Sequence, residues 1–496
     1  MESTSAANKT SVEGSTDFDV IVIGAGLSGI GAGVRLQRDC PDSSFAILER
    51  RGAIGGTWDI FRYPGIRSDS DMHTLGYDFK PWSAEKAIAD GTAIREYVNA
   101  TADEYGVRQH IRFEHQLKAA DWCSERSQWI LSVELAGNTV EYRCNVLLMC
   151  AGYYSYDAGY QPDFPGKDTF AGTWVHPQFW PRDLDYSNKK VVVIGSGATA
   201  MTLVPNMAST AEHVTMLQRS PTYVVARPAV DSLSQKFRRW FPEQFAYDLT
   251  RWKNVTMQAF IFQLSRRFPD KVRALLRKMT HQWMGDDYDI DTHFNPRYNP
   301  WDQRLCLVPD GDLFRALRKG TASIVTDHIE HFTEQGIQLK SGAALDADIV
   351  VSATGLELLI LGGIQLTVDS QPVKIADSLV YKGMMFSGIP NLALAAGYTN
   401  ASWTLKCDLT SQYVCRLLAY MDKHNYKYCM ATNSDPSVQR TQFLDLASGY
   451  IDRAVDQFPK QGNKAPWRLY QNYLLDIITL RVRSLRDRAL TFYKTE

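Results

Sequence analysis

The stretch Asp17-Phe18-Asp19-Val20-Ile21-Val22-Ile23-Gly24-Ala25-Gly26-Leu27-Ser28-Gly29 decides the fold. Its apolar, β-branched run breaks off at glycine, as a buried parallel strand does. A helical pattern follows from Leu27 to Asp39, and Cys40-Pro41 ends it. Ser44 to Arg50, SFAILER, reads as the next strand. The whole is a β-α-β unit of about 33 residues, the size of a dinucleotide-binding unit. Gly24, Gly26 and Gly29 allow a tight turn and a close approach of backbone to a pyrophosphate, and the first helical turn, with Ser28, offers unpaired N–H groups. Glu49 ends the second strand 25 residues after Gly24, where a carboxylate accepts from ribose hydroxyls.

A second unit starts at Lys189, in KKVVVIGSGATA. Its turn is Gly195-Ser196-Gly197-Ala198-Thr199-Ala200, and its next strand, from His213, ends in Arg219-Ser220 rather than in an acid. A guanidinium pairs with a ribose 2′-phosphate that a carboxylate would repel. The first unit is therefore expected to take a nucleotide with a free 2′-OH, and the second to take NADP. The competing reading makes Arg219 a solvated surface charge. Two further apolar runs close on small residues, VLLMCAGYY (146–154) and DIVVSATG (348–355). Each marks a place for the chain to leave a nucleotide-binding sheet.

Working outward, 496 residues suggest about three domains. With 45% apolar and 22% charged residues, disorder, collagen and coiled coil are poor readings. Lys plus Arg (54) nearly cancels Asp plus Glu (55), which leaves no global positive field to hold nucleic acid. Eight cysteines form no CxxC pair, which argues against zinc ribbons and dithiol redox centres. We expect no metal site. Residues 1–16 are polar and read as a disordered tail without a signal peptide. No apolar run approaches about 18 residues, and scattered thiols suit a reducing cytosol. A cytoplasmic protein is expected.

Three segments remain. Gly55 to Asp69, GGTWDIFRYPGIRSD, reads as a loop beside the first nucleotide. Phe170 to Pro181, FAGTWVHPQFWP, precedes the second unit, and His176 there reads physically as a ring packed among Trp174 and Trp180. Residues 231–284 hold 11 Lys or Arg against four Asp or Glu, interleaved with Phe237, Trp240, Phe241, Phe245, Trp252, Phe260, Phe262 and Phe268. The favoured reading is a helical insert with its aromatics facing the core. The sharper reading is a membrane-surface or partner face.

Together these segments resemble the type I Baeyer–Villiger monooxygenases. Phe170, Gly172, His176, Trp180 and Pro181 fit the fingerprint FxGxxxHxxxWP, and Gly55 to Asp69 fits [A/G]GxWxxxx[F/Y]P[G/M]xxxD. RYPGIRSDSDM, HVTMLQRSPTY, YNPWDQRLCLVPDGDLFRA and GYTNASWTL resemble the mycobacterial branch that activates ethionamide. The resemblance spans about Asp17 to Asn463.

The resemblance implies FAD on the first unit and NADPH on the second. Reduced flavin takes up O2 as a C4a-peroxide, which attacks a small organic ketone to give an ester or lactone. Thioether or thioamide sulfur is the second substrate type. It implies Arg304 as the catalytic cation and Asp69 as its positioning carboxylate. Arg67, Ser68 and Asp69 would meet NADP, Thr57, Trp58 and Asp59 would line FAD, and Leu117 would meet the adenine. His176 takes a conformational role in a linking segment. One departure is Gln303, where many relatives place lysine beside the 2′-phosphate, so Arg219 carries more of that discrimination.

The expected fold is α/β, with two dinucleotide-binding Rossmann-like domains and a helical insert. The FAD domain is placed at 17–160 and 346–496, the NADP domain at 161–230 and 301–345, and the insert at 231–300. The alternatives are a flavin-containing S- or N-monooxygenase, which usually lacks Trp180-Pro181, and a catalytically silent NADP-binding flavoprotein. A disulfide reductase needs a cysteine pair that this sequence lacks.

Overall fold

The computed structural model describes residues 16–303, 305–444 and 449–494. The tail expected over 1–16, Thr16 apart, and the candidate cation Arg304 lie outside the described residues.

Strand Asp17–Ile23 is central to the first sheet. It runs parallel to Phe45–Leu48 on one side and to Asn138–Met149 on the other. The long strand Asn138–Met149 serves two neighbourhoods. Its first half completes an antiparallel meander with Gln116–Cys123 and Gln128–Leu135. Its last residues pair in parallel with Leu392–Leu394, from the C-terminal part of the chain. Burial on both faces explains the unbroken apolar runs of Val20–Ile23 and Val146–Met149.

One face of this sheet is covered by helices Leu27–Asp39 and Trp403–His424, and Ile30, Val34, Leu409 and Val414 share a core there. The other face carries a second core around Trp122, Trp129, Leu147 and Phe386. The two helices are also joined by a buried ion pair, Arg35 Nε to Asp408 Oδ1 at 2.7 Å, with Asp78 as the guanidinium's second partner at 2.6 Å.

The second sheet is wholly parallel, in the order Ala322–Thr326, His213–Gln218, Lys190–Ile194, Ile349–Ser352, Thr173–Val175. Helices Ala198–Met207 and Asp312–Arg318 bury Met201, Val204 and Phe314 against one face. A small antiparallel sheet spanning 329–346 buries Phe332 and Ile337 against the other. The domain change expected at 346 falls before Ile349–Ser352, the parallel sheet's last strand in chain order. Ile349–Ser352 is buried throughout and pairs with Val191–Ile194, so its apolar run is fully used in the second sheet.

Two segments join the sheets. Tyr154–Gly159 leaves the first, Leu356–Leu358 leaves the second, and they pair antiparallel. The insert springs from the parallel pair Tyr223–Arg227 and Leu305–Pro309. It contains helices Ser232–Trp240, Glu243–Arg267, Pro269–Met284 and Ile290–Phe294. Its long helix leaves the second sheet's neighbourhood and docks on the first. Arg251 is buried and donates to the carbonyls of His73 and Gly76, both at 2.8 Å. Those are carbonyls at the end of the short helix Met72–Leu75, which a cation satisfies well.

The aromatics of 231–284 do not face a core, contrary to the favoured reading of the sequence. Trp240, Phe241, Phe245, Trp252, Phe260 and Phe268 are exposed, and Phe237 and Phe262 are half-buried. The inward positions of the long helix are held instead by Ala246, Tyr247, Thr250, Arg251, Val255 and Ser265. The surface it meets is largely polar, with the carbonyls of His73, Gly76 and Tyr77 and the carboxylate of Asp71, and Val255 packs on an apolar spot formed by Tyr398 and Leu405.

Gly29→Ala tests the first turn. A Cβ at Gly29 would stand 1.8 Å from the carbonyl oxygen of Gly24. Relief requires the turn to move, and we expect a loss of roughly 2 kcal/mol or more, read as a lowered melting temperature. An unchanged melting temperature would mean that the turn has slack.

Candidate active site

The first glycine turn is built by close backbone approach. Gly24 has φ +103°, and a Cβ there would lie 2.7 Å from the Cys150 carbonyl oxygen. Glu49 is buried beside the turn and accepts from the backbone N–H of Ala25 at 2.8 Å and of Arg51 at 2.9 Å. Burial nevertheless pushes its carboxyl up from the ordinary range, against those two bonds.

The segment Gly55 to Asp69 is mostly loop, but it contains a single helical turn, Thr57–Ile60, that its composition concealed. Gly55 and Gly56 both have positive φ, and the Cα of Gly56 lies 3.6 Å from where a Gly26 Cβ would be. Thr57 and Trp58 thus sit against the first turn. Asp59 points elsewhere. Its buried carboxylate is held by Arg51 at 2.6 Å, Arg62 at 2.5 Å and Arg95 at 3.5 Å. There it braces the loop next to Thr57 and Trp58.

The loop then reaches the second unit. Tyr63 is hydrogen-bonded to Thr199 of the second glycine turn, and burial raises its phenol to about 12. Gly65 lies where a Cβ would strike the Asn206 side chain at 2.0 Å. Arg67 is paired with Asp312 at the start of a helix of the second unit. Ser68 is buried, and its hydroxyl accepts from the Ser70 N–H at 2.9 Å.

The second turn repeats the first. Gly195 has φ +136°, and a Cβ there would lie 2.4 Å from the Ala353 carbonyl oxygen. A Cβ on Gly197 would meet nothing within 4 Å, which leaves open space above the turn for a ligand. Ser196 Oγ donates to the Ser220 carbonyl at 3.1 Å, so the turn and the end of the next strand stand side by side. Arg219 is exposed there and makes no ion pair among the described residues.

His176 belongs to the link between the sheets. Its Nδ1 accepts from the Gln178 N–H at 3.2 Å, so Nε2 carries the proton and faces the Gly355 carbonyl at 3.3 Å. A Cβ on Gly159 would lie 2.0 Å from the ring. The imidazole thus lies against both linking segments. Burial pushes its pKa down.

A cleft of about 2060 Å³, counted to its open mouth, gathers these parts. Gly24, Gly26, Ser28, Glu49, Thr57, Trp58, Arg67, Ser68, Asp69, Leu117, Ala198 and Thr199 all line it. Gly29 lies beneath the turn, and Gly195, Ser196, Gly197, Arg219 and Ser220 stand beyond this cleft's wall, on the second unit. The wall also includes residues the sequence did not single out, among them His115, Tyr153 and Tyr156. Trp403, in a segment noted for its resemblance, donates from Nε1 to Ser28 Oγ at 2.9 Å and stacks on Tyr153 at 4.9 Å. Tyr153 and Tyr156 follow the strand end at Met149, and only their position beside the turn makes them wall residues.

A family profile described as flavin-binding monooxygenase-like matches residues 79–360, and a NAD(P)-binding Rossmann-like profile matches 22–84. The FAD-containing monooxygenase EthA of Mycobacterium tuberculosis is 51% identical over 478 residues, 96% of this chain and 98% of that protein. The chain belongs to the flavin-binding monooxygenase-like family. The probable FAD-binding monooxygenase AlmA of Acinetobacter baylyi, another relative, is 50% identical over 96% of each chain. The fold is that of a steroid monooxygenase solved with NADP, at TM-score 0.75 and 22% identity over 97% of this chain and all of the other. It is also that of OTEMO solved with FAD and NADP, at 0.68 over 84% of this chain and 88% of the other. This flavin-binding monooxygenase-like chain thus has the two-dinucleotide-domain architecture that its motifs imply.

Two outcomes follow from the site. Arg219→Ala is expected to raise the KM for NADPH about tenfold or more, the worth of a charge-assisted bond to phosphate, and to leave the KM for NADH nearly unchanged. Equal losses with both cofactors would remove Arg219 from the 2′-phosphate. The second concerns pH. Burial lowers the pKa of His73, His110, His176 and His293. In the unfolded chain they take up protons near pH 6.5, which the folded chain resists, so stability is full above about pH 6.5 and falls as pH drops from there. His176→Gln should lessen that slope by up to one proton, about 1.4 kcal/mol per pH unit, in thermal melts taken across this range.

Proposed function

We propose that the chain is an FAD- and NADPH-dependent Baeyer–Villiger monooxygenase that inserts one oxygen atom of O2 beside a ketone carbonyl. The observation that carries this reading is the single cleft bearing the first glycine turn, the helix start of the second turn and Asp69 together. The fingerprint histidine at the crossing of the two linking segments supports it. FAD suits the first turn, where glycine backbone, a buried carboxylate and an open wall meet. NADPH suits the second, where Arg219 stands beside the strand end and Gly197 opens to solvent space.

Bound FAD, reduced by NADPH, supplies the activated oxygen. The chain's own residues orient and stabilise. Asp69 stands on the cleft wall three residues after Ile66, in a loop that Arg67 ties to Asp312 of the second unit. That tie couples the loop to the nicotinamide's carrier. We assign Arg304 the role of fixed positive charge beside the reacting carbonyl. A guanidinium stays charged at any working pH, and such preorganised charge lowers a barrier by roughly 3–4 kcal/mol. Oxygenation of thioether or thioamide sulfur is the second reaction of the same site. O2 and an organic substrate are the partners. A peripheral membrane contact through residues 231–284 completes the reading.

The test is product identity. Purified protein with FAD, NADPH and O2 is offered a linear, a cyclic and an aryl ketone and a thioether, with Arg304→Ala alongside. Ester or lactone from the wild type is expected, while the variant still bleaches its flavin with NADPH and forms no ester. NADPH consumed with only hydrogen peroxide formed, across the panel, would sink the assignment. A colourless protein that binds NADPH would favour a silent binding protein.

A further inference from the structure

We propose that the outward face of helix Glu243–Arg267, together with the segment 473–482, docks on an anionic lipid surface. This rests on the membrane contact placed above and names its residues and lipid charge. The long helix carries Phe245, Leu249, Trp252 and Phe260 outward at spacings of four, three and eight residues, which is one continuous helical stripe. Phe260 is 63% exposed, and Trp240, at the end of the preceding helix, is 71% exposed. A far part of the sequence continues the same surface. Leu474, Ile478 and Val482 repeat every four residues, and Val482 is 71% exposed. Tyr473 lies against Trp252 at 6.2 Å between ring centroids, so the two stripes are neighbours.

Isolated exposed apolar residues need no explanation, but two adjoining stripes make a patch that soluble surfaces avoid. The charge around it selects the occupant. Lys236, Arg239, Arg267, Lys271 and Lys278 are exposed in this region and make no ion pair among the described residues, and they outnumber the exposed acids there, Glu243 and Asp270. A second copy of the chain would bring together two rims with the same net positive excess. An anionic lipid surface neutralises them while its acyl boundary takes the aromatic rings. No helix among the described residues is long and apolar enough to cross a membrane, so the helix lies in the interface plane.

The position of the face gives it a use. A groove of about 410 Å³ runs beneath the long helix, between Ala259 and Phe262 on one side and Ala401 and Leu405 on the other. Ala401 also lines the main cleft. The lipid-facing helix is therefore one layer away from the site that takes an apolar organic substrate.

Flotation of the FAD-loaded protein decides the matter. We compare vesicles of phosphatidylcholine alone with vesicles that also contain phosphatidylglycerol. The wild type is expected to float with the anionic vesicles and to be released by high salt. The variant Phe245→Ser/Leu249→Ser/Phe260→Ser should lose binding at least tenfold, and Lys236→Glu/Arg239→Glu/Arg267→Glu should lose the preference for anionic lipid. Both variants should keep the yellow colour and the NADPH oxidation rate, since all six side chains face solvent. Phe260→Ser alone, with a several-fold loss, covers the case in which the triple variant does not fold. Wild type that stays with the aqueous fraction in both cases overturns the proposal. So does a wild-type dimer that the apolar variants convert to monomer, without any flotation. Flotation by a protein that forms no ester would refute the oxygenation reading and leave the docking face standing.

Discussion

The architecture depends on one backbone constraint that occurs twice. In each nucleotide-binding unit the first glycine of the turn presses against a carbonyl just past the end of a neighbouring strand, Gly24 on Cys150 and Gly195 on Ala353. Both have positive φ and no room for a Cβ. The carbonyl-bearing segments are also the exits from the two sheets. From Cys150 the chain passes into strand Tyr154–Gly159, and from Ala353 into Leu356–Leu358, and these two strands pair. Each turn is thus moulded against the segment that carries the chain to the other domain. Moving a linking segment therefore disturbs the bed of a nucleotide.

Several other contacts lie on the same crossing and give it a geometry. His176 touches both linking segments from one ring. The loop after Gly55 ends on the second unit through Tyr63, Gly65 and Arg67. The insert returns the contact from the other side, with buried Arg251 on the carbonyls of residues 73 and 76. The fingerprint His176 is thus held by packing and hydrogen bonding, and burial lowers its pKa.

Legibility in the sequence followed locality. The strand–turn–helix units were readable because β-branched runs, glycine spacing and helix starts act within about a dozen residues. The turn Thr57–Ile60 was hidden by its glycine, proline and aromatic surroundings, since four residues show no periodicity. The partners of Asp59 were hidden for another reason. Its neighbours Thr57 and Trp58 face the cleft, but its own carboxylate satisfies three arginines, one of them 36 residues away. The end of the second domain was missed because Ile349–Ser352 reads equally well as a strand of either sheet. The aromatic insert was misread because amphipathic spacing reports a stripe and not which side of it is buried.

The sequence by itself determined the two dinucleotide units, the acid in one and the arginine in the other, and both fingerprints, because each is a short-range pattern tied to a local backbone shape. The tertiary structure alone decided what those pieces share. It brought Asp69, Leu117 and Thr199 to one cleft, set Arg219 and its turn on the adjoining unit, and left the insert's aromatic stripe facing outward. Those outcomes depend on how distant segments divide a limited buried surface. A largely polar surface, made of carbonyls and the Asp71 carboxylate, took one side of the long helix, and its aromatics lie on the side left to solvent.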